Sequence, residues 1–122
     1  MAKQHSYGIA PYLIMNGHFF VLLNKTSRTS YYNFFKGKIE EGETKEDAAV
    51  REFYEETGIK VDKKDLEDYH EQKNPRKDVG IFLVDFAKYS NLPFKFEEKE
   101  IYSALWVNVT KEVQPSKKKK KI

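Results

Sequence analysis

A chain of 122 residues, of which 39% are hydrophobic and 34% charged, has the size of a single domain with one core and a strongly charged surface. It contains no apolar stretch of the roughly 18–20 residues that a membrane-spanning helix requires, and residues 1–6 lack the apolar run of a secretory signal. Because it has no cysteine, disulfides and thiolate metal sites are excluded, and we expect a cytoplasmic protein that does not enter a membrane.

The net charge of +3 is concentrated at one end of the chain. Five consecutive lysines occupy residues 117–121, so the remainder has no basic excess of the kind that a nucleic-acid-binding surface needs. We expect residues 1–114 to form the folded domain and residues 115–122 to form a disordered lysine-rich tail. Electrostatic attachment of the tail to RNA or DNA is the alternative.

Two apolar runs near the start of the chain predict a β-hairpin. Residues 7–15 and 19–23 are rich in strand-forming residues, and Asn16 and Gly17 between them tolerate the positive φ of a two-residue turn. Polar residues 25–30 then predict a loop, and aromatic residues 31–35 predict a further strand that ends before Gly37.

A helix is predicted from Thr44 to about residue 57. The hydroxyl of Thr44 can cap the first turn, and Glu46 and Asp47 place negative charge at the positive end of the helix dipole. Gly58 is a typical C-terminal cap.

The second half of the chain is richer in strand signals. Residues 59–61 and 69–72 predict short strands, and residues 79–89 predict a longer strand that follows a turn at Asn74 and Pro75. A charged connector over 97–102 precedes a last strand at 105–109. Strands on both sides of a central helix predict an α/β fold with a mixed β-sheet.

Three glutamates of the predicted helix lie on one face. At about 100° per residue, Glu55 lies near −60° and Glu56 near +40° from Glu52. Ala48 and Ala49 precede the acids by one turn, and their small side chains are expected to leave open space above the carboxylates.

A divalent cation would relieve the repulsion among these three acids. Carboxylate oxygens suit Mg²⁺ or Mn²⁺ better than zinc, and such ions bridge phosphate oxygens and activate water. The pattern therefore points to hydrolysis of a phosphoanhydride, and neighbouring Arg51 could orient one carboxylate through a bidentate contact. A solvated acidic helix face is the alternative interpretation.

Residues 37–59 resemble the signature sequence of the Nudix hydrolase family. That signature has a glycine, five residues, a glutamate, seven residues, Arg-Glu, an apolar residue, any residue, Glu-Glu, any residue, a glycine and an apolar residue, and each required position is matched here. The resemblance implies a Nudix-type α/β/α sandwich with a mixed β-sheet and a central loop–helix–loop catalytic element.

The resemblance also implies roles for individual residues. Metal ligation falls to the carbonyl of Gly37 and to Glu52, Glu55 and Glu56, with Mg²⁺ as the ion and Mn²⁺ as its substitute. Glu52 would also assist the attacking water. Arg51 and Glu43 would hold the loop and the helix in register, with Gly58 ending the helix.

The family commonly supplies a further acid six residues before a tryptophan of the last strand. Glu100 precedes Trp106 by that spacing, which makes Glu100 the candidate for a fourth metal ligand or a catalytic base. Glu97 and Glu98 are alternatives, and a merely charged connector is equally compatible with the sequence.

The substrate is indicated by the residues that lead into the signature. Residues 34–40 resemble the corresponding segment of diadenosine polyphosphate hydrolases and of RNA 5′-end pyrophosphohydrolases, although Phe35 replaces the usual proline. Candidate phosphate contacts are Lys36, Lys38, Lys25 and Arg28, of which the last two could instead belong to a solvated loop. Candidate base-stacking residues, which could instead be core residues, are Tyr31, Tyr32 and Phe34.

We therefore expect a hydrolase of a dinucleoside polyphosphate or a related nucleotide. Hydrolysis at a triphosphorylated or capped RNA 5′ end is the alternative activity, and a non-catalytic nucleotide-binding module is the alternative of a different class. The family usually ends in a helix packed on the sheet, for which Pro115 and the lysines leave little room. Either the domain is minimal or a partner, such as a second copy in a homodimer, covers the exposed face.

Overall fold

The computed structural model describes residues 3–26, 31–95 and 103–110. Its elements are β1 (Gln4–Met15), β2 (His18–Lys25), β3 (Phe35–Lys38), α1 (Lys45–Thr57), β4 (Glu67–Lys73), β5 (Lys77–Asp85) and β6 (Ser103–Asn108), with short 3₁₀ helices at Lys63–Asp65 and Phe86–Tyr89. The strands form one sheet in the order β4-β5-β1-β2-β6, and β3 pairs with β1. Because β1 and β5 are parallel and the other pairs antiparallel, the sheet is mixed and the predicted α/β class is confirmed.

On the edge away from β5, the central strand β1 changes partner along its length. Residues 6–9 pair with β3, and residues 12–15 pair with β2. Pro11, which is fully buried, lies between these two stretches. A proline in the middle of a sheet is tolerated here because its missing N–H falls where the ladder changes from one partner to the other.

Both predicted turns are present. Asn16 and Gly17 adopt φ values of 52° and 76°, which joins β1 to β2 by the predicted two-residue turn. At the other hairpin, the Asn74 side-chain oxygen accepts hydrogen bonds from the amides of Arg76 and Lys77. That contact closes the turn between β4 and β5.

The helix covers one face of the sheet and builds the main core. Phe53 of α1 is fully buried and packs edge-on against Phe35, with ring centroids 5.4 Å apart, and against Phe86 at 6.1 Å. The opposite face has a second cluster around Ala10, Val21 and Ile81. Within the described ranges no α-helix lies on that face, and none of the helices has the length and apolar character needed to span a bilayer.

One predicted strand does not form, and the bounds of others differ from the prediction. Residues 59–61 form no strand, because Ile59 and Val61 are buried as a loop that fills the core beneath α1. β5 ends at Asp85 rather than at residue 89, since the Asp85 carboxylate accepts from the amide of Ala87 and starts a 3₁₀ turn. β3 begins at Phe35, so most of the predicted strand at 31–35 precedes it. The predicted connector at 97–102 and the predicted tail at 115–122 lie outside the described residues.

Candidate active site

The helix that carries the three acids is capped as predicted. The Thr44 hydroxyl accepts from the Asp47 amide at 3.1 Å, and the Asp47 carboxylate accepts from the Thr44 amide at 3.4 Å. At the other end Gly58 adopts φ 77° and its amide donates to the Tyr54 carbonyl. These local contacts fix where α1 begins and ends.

Arg51 ties α1 to the loop between β3 and α1. Its Nε and Nη2 donate to the two carboxylate oxygens of Glu43 at 2.6 and 3.1 Å, and Nη2 also donates to the Lys38 carbonyl at 3.0 Å. Hydrogen bonds from Arg51 hold the pKa of Glu43 below its usual value, and Glu43 in turn raises the pKa of Arg51. The loop and the helix are thereby joined by a two-pronged ion pair.

The remaining nitrogen of Arg51 lies between two of the three acids. Nη1 donates to Glu52 at 3.0 Å and to both oxygens of Glu55 at 3.2 and 3.3 Å. The positive charge offsets the repulsion between these carboxylates, which are only three residues apart on the helix.

The carboxylate of Glu52 occupies the space directly over Gly37. A Cβ atom at Gly37 would lie between 2.0 and 2.3 Å from the carboxyl atoms of Glu52, so a larger residue could not coexist with this side-chain position. Burial raises the pKa of Glu52, and the hydrogen bond from Arg51 opposes that rise. The glycine therefore allows α1 to place a half-buried carboxylate against the backbone of β3.

The prediction that Ala48 and Ala49 leave open space above the acids is wrong. Ala48 and Ala49 are fully buried in the main core, not open to the carboxylates. Their small side chains instead let α1 pack closely on β1 and β3, and this close packing brings Glu52 to Gly37. The acids thus lie at the edge of the buried helix face.

Lys36 and Lys77 form a cationic pair near the third acid. Burial lowers the pKa of Lys36, the nearby Lys77 lowers it further, and attraction by Glu56 opposes both. The two lysines therefore present cationic side chains to which an anion could bind.

A cavity of about 500 Å³ extends from this lysine pair over the sheet face opposite to α1. Phe34 and His70 lie on its sides, and Ile81 and Leu83 contribute to its apolar lining. The cavity has the volume and the mixed apolar and polar lining of a small-molecule site.

Not all predicted contacts meet at this cavity. Phe34 and Lys36 line it, whereas Tyr32 and Lys38 do not. The Tyr32 hydroxyl instead lies 3.0 Å from the Ser103 hydroxyl, and the Lys38 carbonyl accepts from Arg51. Arg28, Glu97, Glu98 and Glu100 lie outside the described residues.

The sequence interpretation did not select Lys77 or His70, both of which line the cavity. The available signal was the alternation of β5, because residues 77, 79, 81 and 83 of one strand point to the same face. His70 lies opposite Ile81 in the β4–β5 pairing, which places it in the same cavity.

Comparison with known proteins identifies the family. Residues 7–121 match the NUDIX domain family. The chain belongs to the Nudix family. The match supports the predicted enzyme class, a Nudix hydrolase, and a search of curated proteins finds no match.

Solved structures show the same Nudix fold. A MutT/nudix family protein from Enterococcus faecalis aligns with a TM-score of 0.74 and 17% identity, covering 88% of this chain and 44% of that one. The C. elegans Ap4A hydrolase in a binary complex gives 0.70 and 20%, covering 91% and 84%. The NUDIX domain of Shewanella oneidensis NrtR, complexed with ADP ribose, gives 0.66 and 13%, covering 93% and 78%. This chain therefore spans less than half of the Enterococcus protein, and likeness at such identities establishes the fold alone.

The Nudix acids are not gathered around one point. Within the described ranges, no group of three or more His, Asp or Glu side chains has a metal-binding arrangement. Arg51 donates hydrogen bonds to Glu52 and Glu55, and Glu56 attracts the Lys36 ammonium group. Even so, the oxygen donors of these side chains are of the kind that Mg²⁺ and Mn²⁺ prefer.

Proposed function

We propose that this Nudix chain hydrolyses a phosphoanhydride bond of a dinucleoside polyphosphate or a related nucleotide, with help from a divalent cation. The observation that carries the proposal is the position of the Glu52 carboxylate over Gly37, where a side chain at residue 37 is sterically excluded. A half-buried carboxylate held over the backbone of β3 is suited to accept a proton from water at a bound polyphosphate.

The donor set fits Mg²⁺ or Mn²⁺. Glu52, Glu55, Glu56 and the Gly37 carbonyl would hold the ion, since all are hard oxygen donors. When bound, the ion supplies charge neutralisation at the phosphate oxygens and lowers the pKa of water. Arg51 would keep Glu52 and Glu55 in place from the side of the loop, because its guanidinium already contacts both.

Phosphate recognition is assigned to Lys36 and Lys77. Both side chains line the cavity on the sheet face opposite to α1, and a polyphosphate bound there would offset the repulsion between their ammonium groups. Glu52 then accepts the proton of the attacking water, and the lysines stabilise the negative charge of the departing phosphate group.

The nucleoside end is assigned to the rest of the cavity. The rings of Phe34 and His70 can contact a base, and the aliphatic side chains of Ile81 and Leu83 supply an apolar surface beneath it. Structural likeness to an Ap4A hydrolase favours a dinucleoside polyphosphate, and likeness to a domain complexed with ADP ribose makes that compound the second candidate.

A substrate panel tests the proposal. Rates would be measured with diadenosine tetraphosphate, ADP ribose and 5′-triphosphate RNA in Mg²⁺ and in Mn²⁺, with products identified. We expect the fastest hydrolysis with diadenosine tetraphosphate, no hydrolysis when a chelator removes the ions, and a preserved fold without them.

Glu56→Gln is the variant to compare with the unchanged chain. Its turnover is expected to fall at least roughly 100-fold, because the change removes the negative charge of one side chain and keeps the size of that side chain. Glu41→Gln, in the exposed loop before α1, is the matched control and is expected to retain activity. Equal turnover of both variants would reject the proposed site. A preference for RNA that disappears when residues 117–121 are deleted would reject the proposed substrate.

A further inference from the structure

A second cavity, called the outer cavity, lies beside α1. Its volume is about 600 Å³, and it runs between the helix and the loop at residues 60–63. Val50, Arg51 and Tyr54 line it from the helix, spaced so that they share one helical stripe. Val61, which is only 1% exposed, lines it from the loop.

The floor of this outer cavity is apolar and carries an exposed aromatic ring. All of the guanidinium contacts described for Arg51 are with Glu43, Glu52, Glu55, Glu40 and the Lys38 carbonyl, none of which lines this cavity. What Arg51 offers to the cavity is therefore its aliphatic stem. Tyr54 stands beside it with 53% of its surface exposed, so a planar ring could lie against Tyr54 and the valines.

The rim on the loop side is cationic. Lys63 pairs with Asp47 at 2.7 Å across the end of the cavity, and Lys60 stands next to Val61. Among the described residues none forms an ion pair with Lys60. An anion of charge −2 could engage Lys60 and share Lys63 with Asp47, whereas a single carboxylate would use only one of the two.

We propose that this outer cavity is a regulatory site for a planar aromatic ring that bears one phosphate, the chemistry of a mononucleotide. Its ring lies against Tyr54 and Val50, and its phosphate pairs with Lys60 and Lys63. The ligand presses on the stem of Arg51, whose guanidinium holds Glu52 and Glu55. Occupancy therefore changes the placement of the proposed catalytic acids, and with it the turnover.

Binding is tested without reference to activity. The full chain, labelled for amide NMR, would be titrated with AMP, with adenosine and with inorganic phosphate as separate probes. Shifts of the amides around Tyr54 and Lys60 are expected with AMP, and each half-probe should bind at least roughly ten times more weakly. Tyr54→Ala and Lys60→Ala should each weaken this binding by about tenfold, while Lys77→Ala leaves it unchanged.

The effect of AMP on kcat and KM distinguishes the outer cavity from the cavity at Lys36 and Lys77. Its interpretation rests on the proposed function. AMP bound in the cavity at Lys36 and Lys77 would raise KM and leave kcat unchanged, whereas AMP bound in the outer cavity would lower kcat. In Lys60→Ala we expect the effect of AMP on kcat to disappear and its effect on KM to remain. AMP-dependent shifts confined to the amides near Lys36 and His70 would overturn the proposal even if the enzyme is active. If no substrate is hydrolysed but the Tyr54 shifts appear, the outer cavity still binds a mononucleotide, whereas its regulatory role and the proposed function are both overturned.

Discussion

At Gly37 the absence of a side chain decides where a carboxylate lies. In Gly37→Ala the new methyl group would meet the end of the Glu52 side chain at 2.0 Å. That side chain is flexible and can turn away, so we expect the unfolding free energy to change by less than about 1 kcal/mol. The displaced carboxylate should nevertheless lower kcat about 100-fold. Steady-state kinetics and chemical denaturation of the same preparation measure the two effects.

Gly42→Ala is the informative contrast to this variant. Gly42 has φ 83°, and nothing lies within 4 Å of a Cβ placed there. An alanine is therefore strained by its backbone alone, at a cost of about 1–2 kcal/mol, and touches no acid. A pair of variants in which Gly42→Ala loses activity and Gly37→Ala keeps it would contradict the role given to the Glu52 position.

The simultaneous contacts of Arg51 with several carboxylates depend on the forked shape of its guanidinium. Arg51→Lys keeps the charge but provides one ammonium, which cannot span Glu43 on one side and Glu52 and Glu55 on the other. We expect a loss of about 2 kcal/mol in unfolding free energy, since charged hydrogen bonds between half-buried partners are broken. Urea denaturation measures the loss.

An exposed pair provides the control for this charge change. Lys64→Gln breaks the 3.9 Å contact with Asp62, and both of those side chains are exposed. A loss of less than about 0.5 kcal/mol is expected there. Equal losses in Arg51→Lys and Lys64→Gln would show that the fork is not needed to hold the loop.

Between elements, the close packing of β4 on β5 depends on the missing side chain at Gly80, which leaves room for Tyr69. A Cβ at Gly80 would lie 2.1 Å from the Tyr69 hydroxyl and 2.6 Å from its ring. Tyr69 has little freedom to yield, because it packs on Phe82 at 4.7 Å and lies under the Lys45 ammonium at 4.3 Å. Gly80→Ala should therefore cost about 1–3 kcal/mol of unfolding free energy.

A double-mutant cycle isolates that contact. In a Tyr69→Ala background the same Gly80→Ala change should cost much less, because the ring that it meets is gone. Denaturation curves of the four proteins give the coupling energy. Strictly additive costs would mean that Gly80 is needed for its backbone and not for the space it leaves to Tyr69.

The elements that the sequence predicts well are those with local signals. The limits of α1 follow from a cap at Thr44 and a glycine at Gly58, both of which act within one turn of the chain. The strand predicted at 59–61 is wrong because Ile59 and Val61 are buried by distant residues, and apolar character alone does not distinguish a strand from a buried loop.

The candidate site follows the same division. The motif that contains Glu43, Arg51 and Glu52 is readable in the chain, and the observed contacts among these residues span only eight positions. The contact of Glu52 with Gly37 depends on how closely α1 packs on β3, so the sequence alone did not reveal it. Lys77 joins Lys36 only because their strands β5 and β3 flank the same strand, β1.

For the whole molecule, ion pairs hold together segments that are distant in sequence, and this makes stability depend on pH. Hydrogen bonds from Arg51, Lys3 and Lys88 lower the pKa of Glu43, Asp78 and Asp65, respectively. A carboxyl group with a lowered folded-state pKa stabilises the fold above its unfolded pKa and loses that contribution as the pH falls through the folded value. Glu52 acts in the opposite direction, since burial raises its pKa.

The lowered pKa values of these carboxyls and of Asp47, set against the raised pKa of Glu52, predict acid-induced unfolding. The unfolding free energy should be nearly constant between about pH 6 and 8 with respect to these carboxyls and should fall below about pH 4.5, near the ordinary pKa values of Glu and Asp of 4.5 and 3.8. Urea denaturation at stepped pH tests this. Asp78→Asn, which removes the buried partner of Lys3, should lower stability at pH 7 and reduce the further loss on acidification. An unchanged loss in Asp78→Asn would assign the acid sensitivity to other carboxyls, because Asp78 could then not be among the groups that take up protons on unfolding.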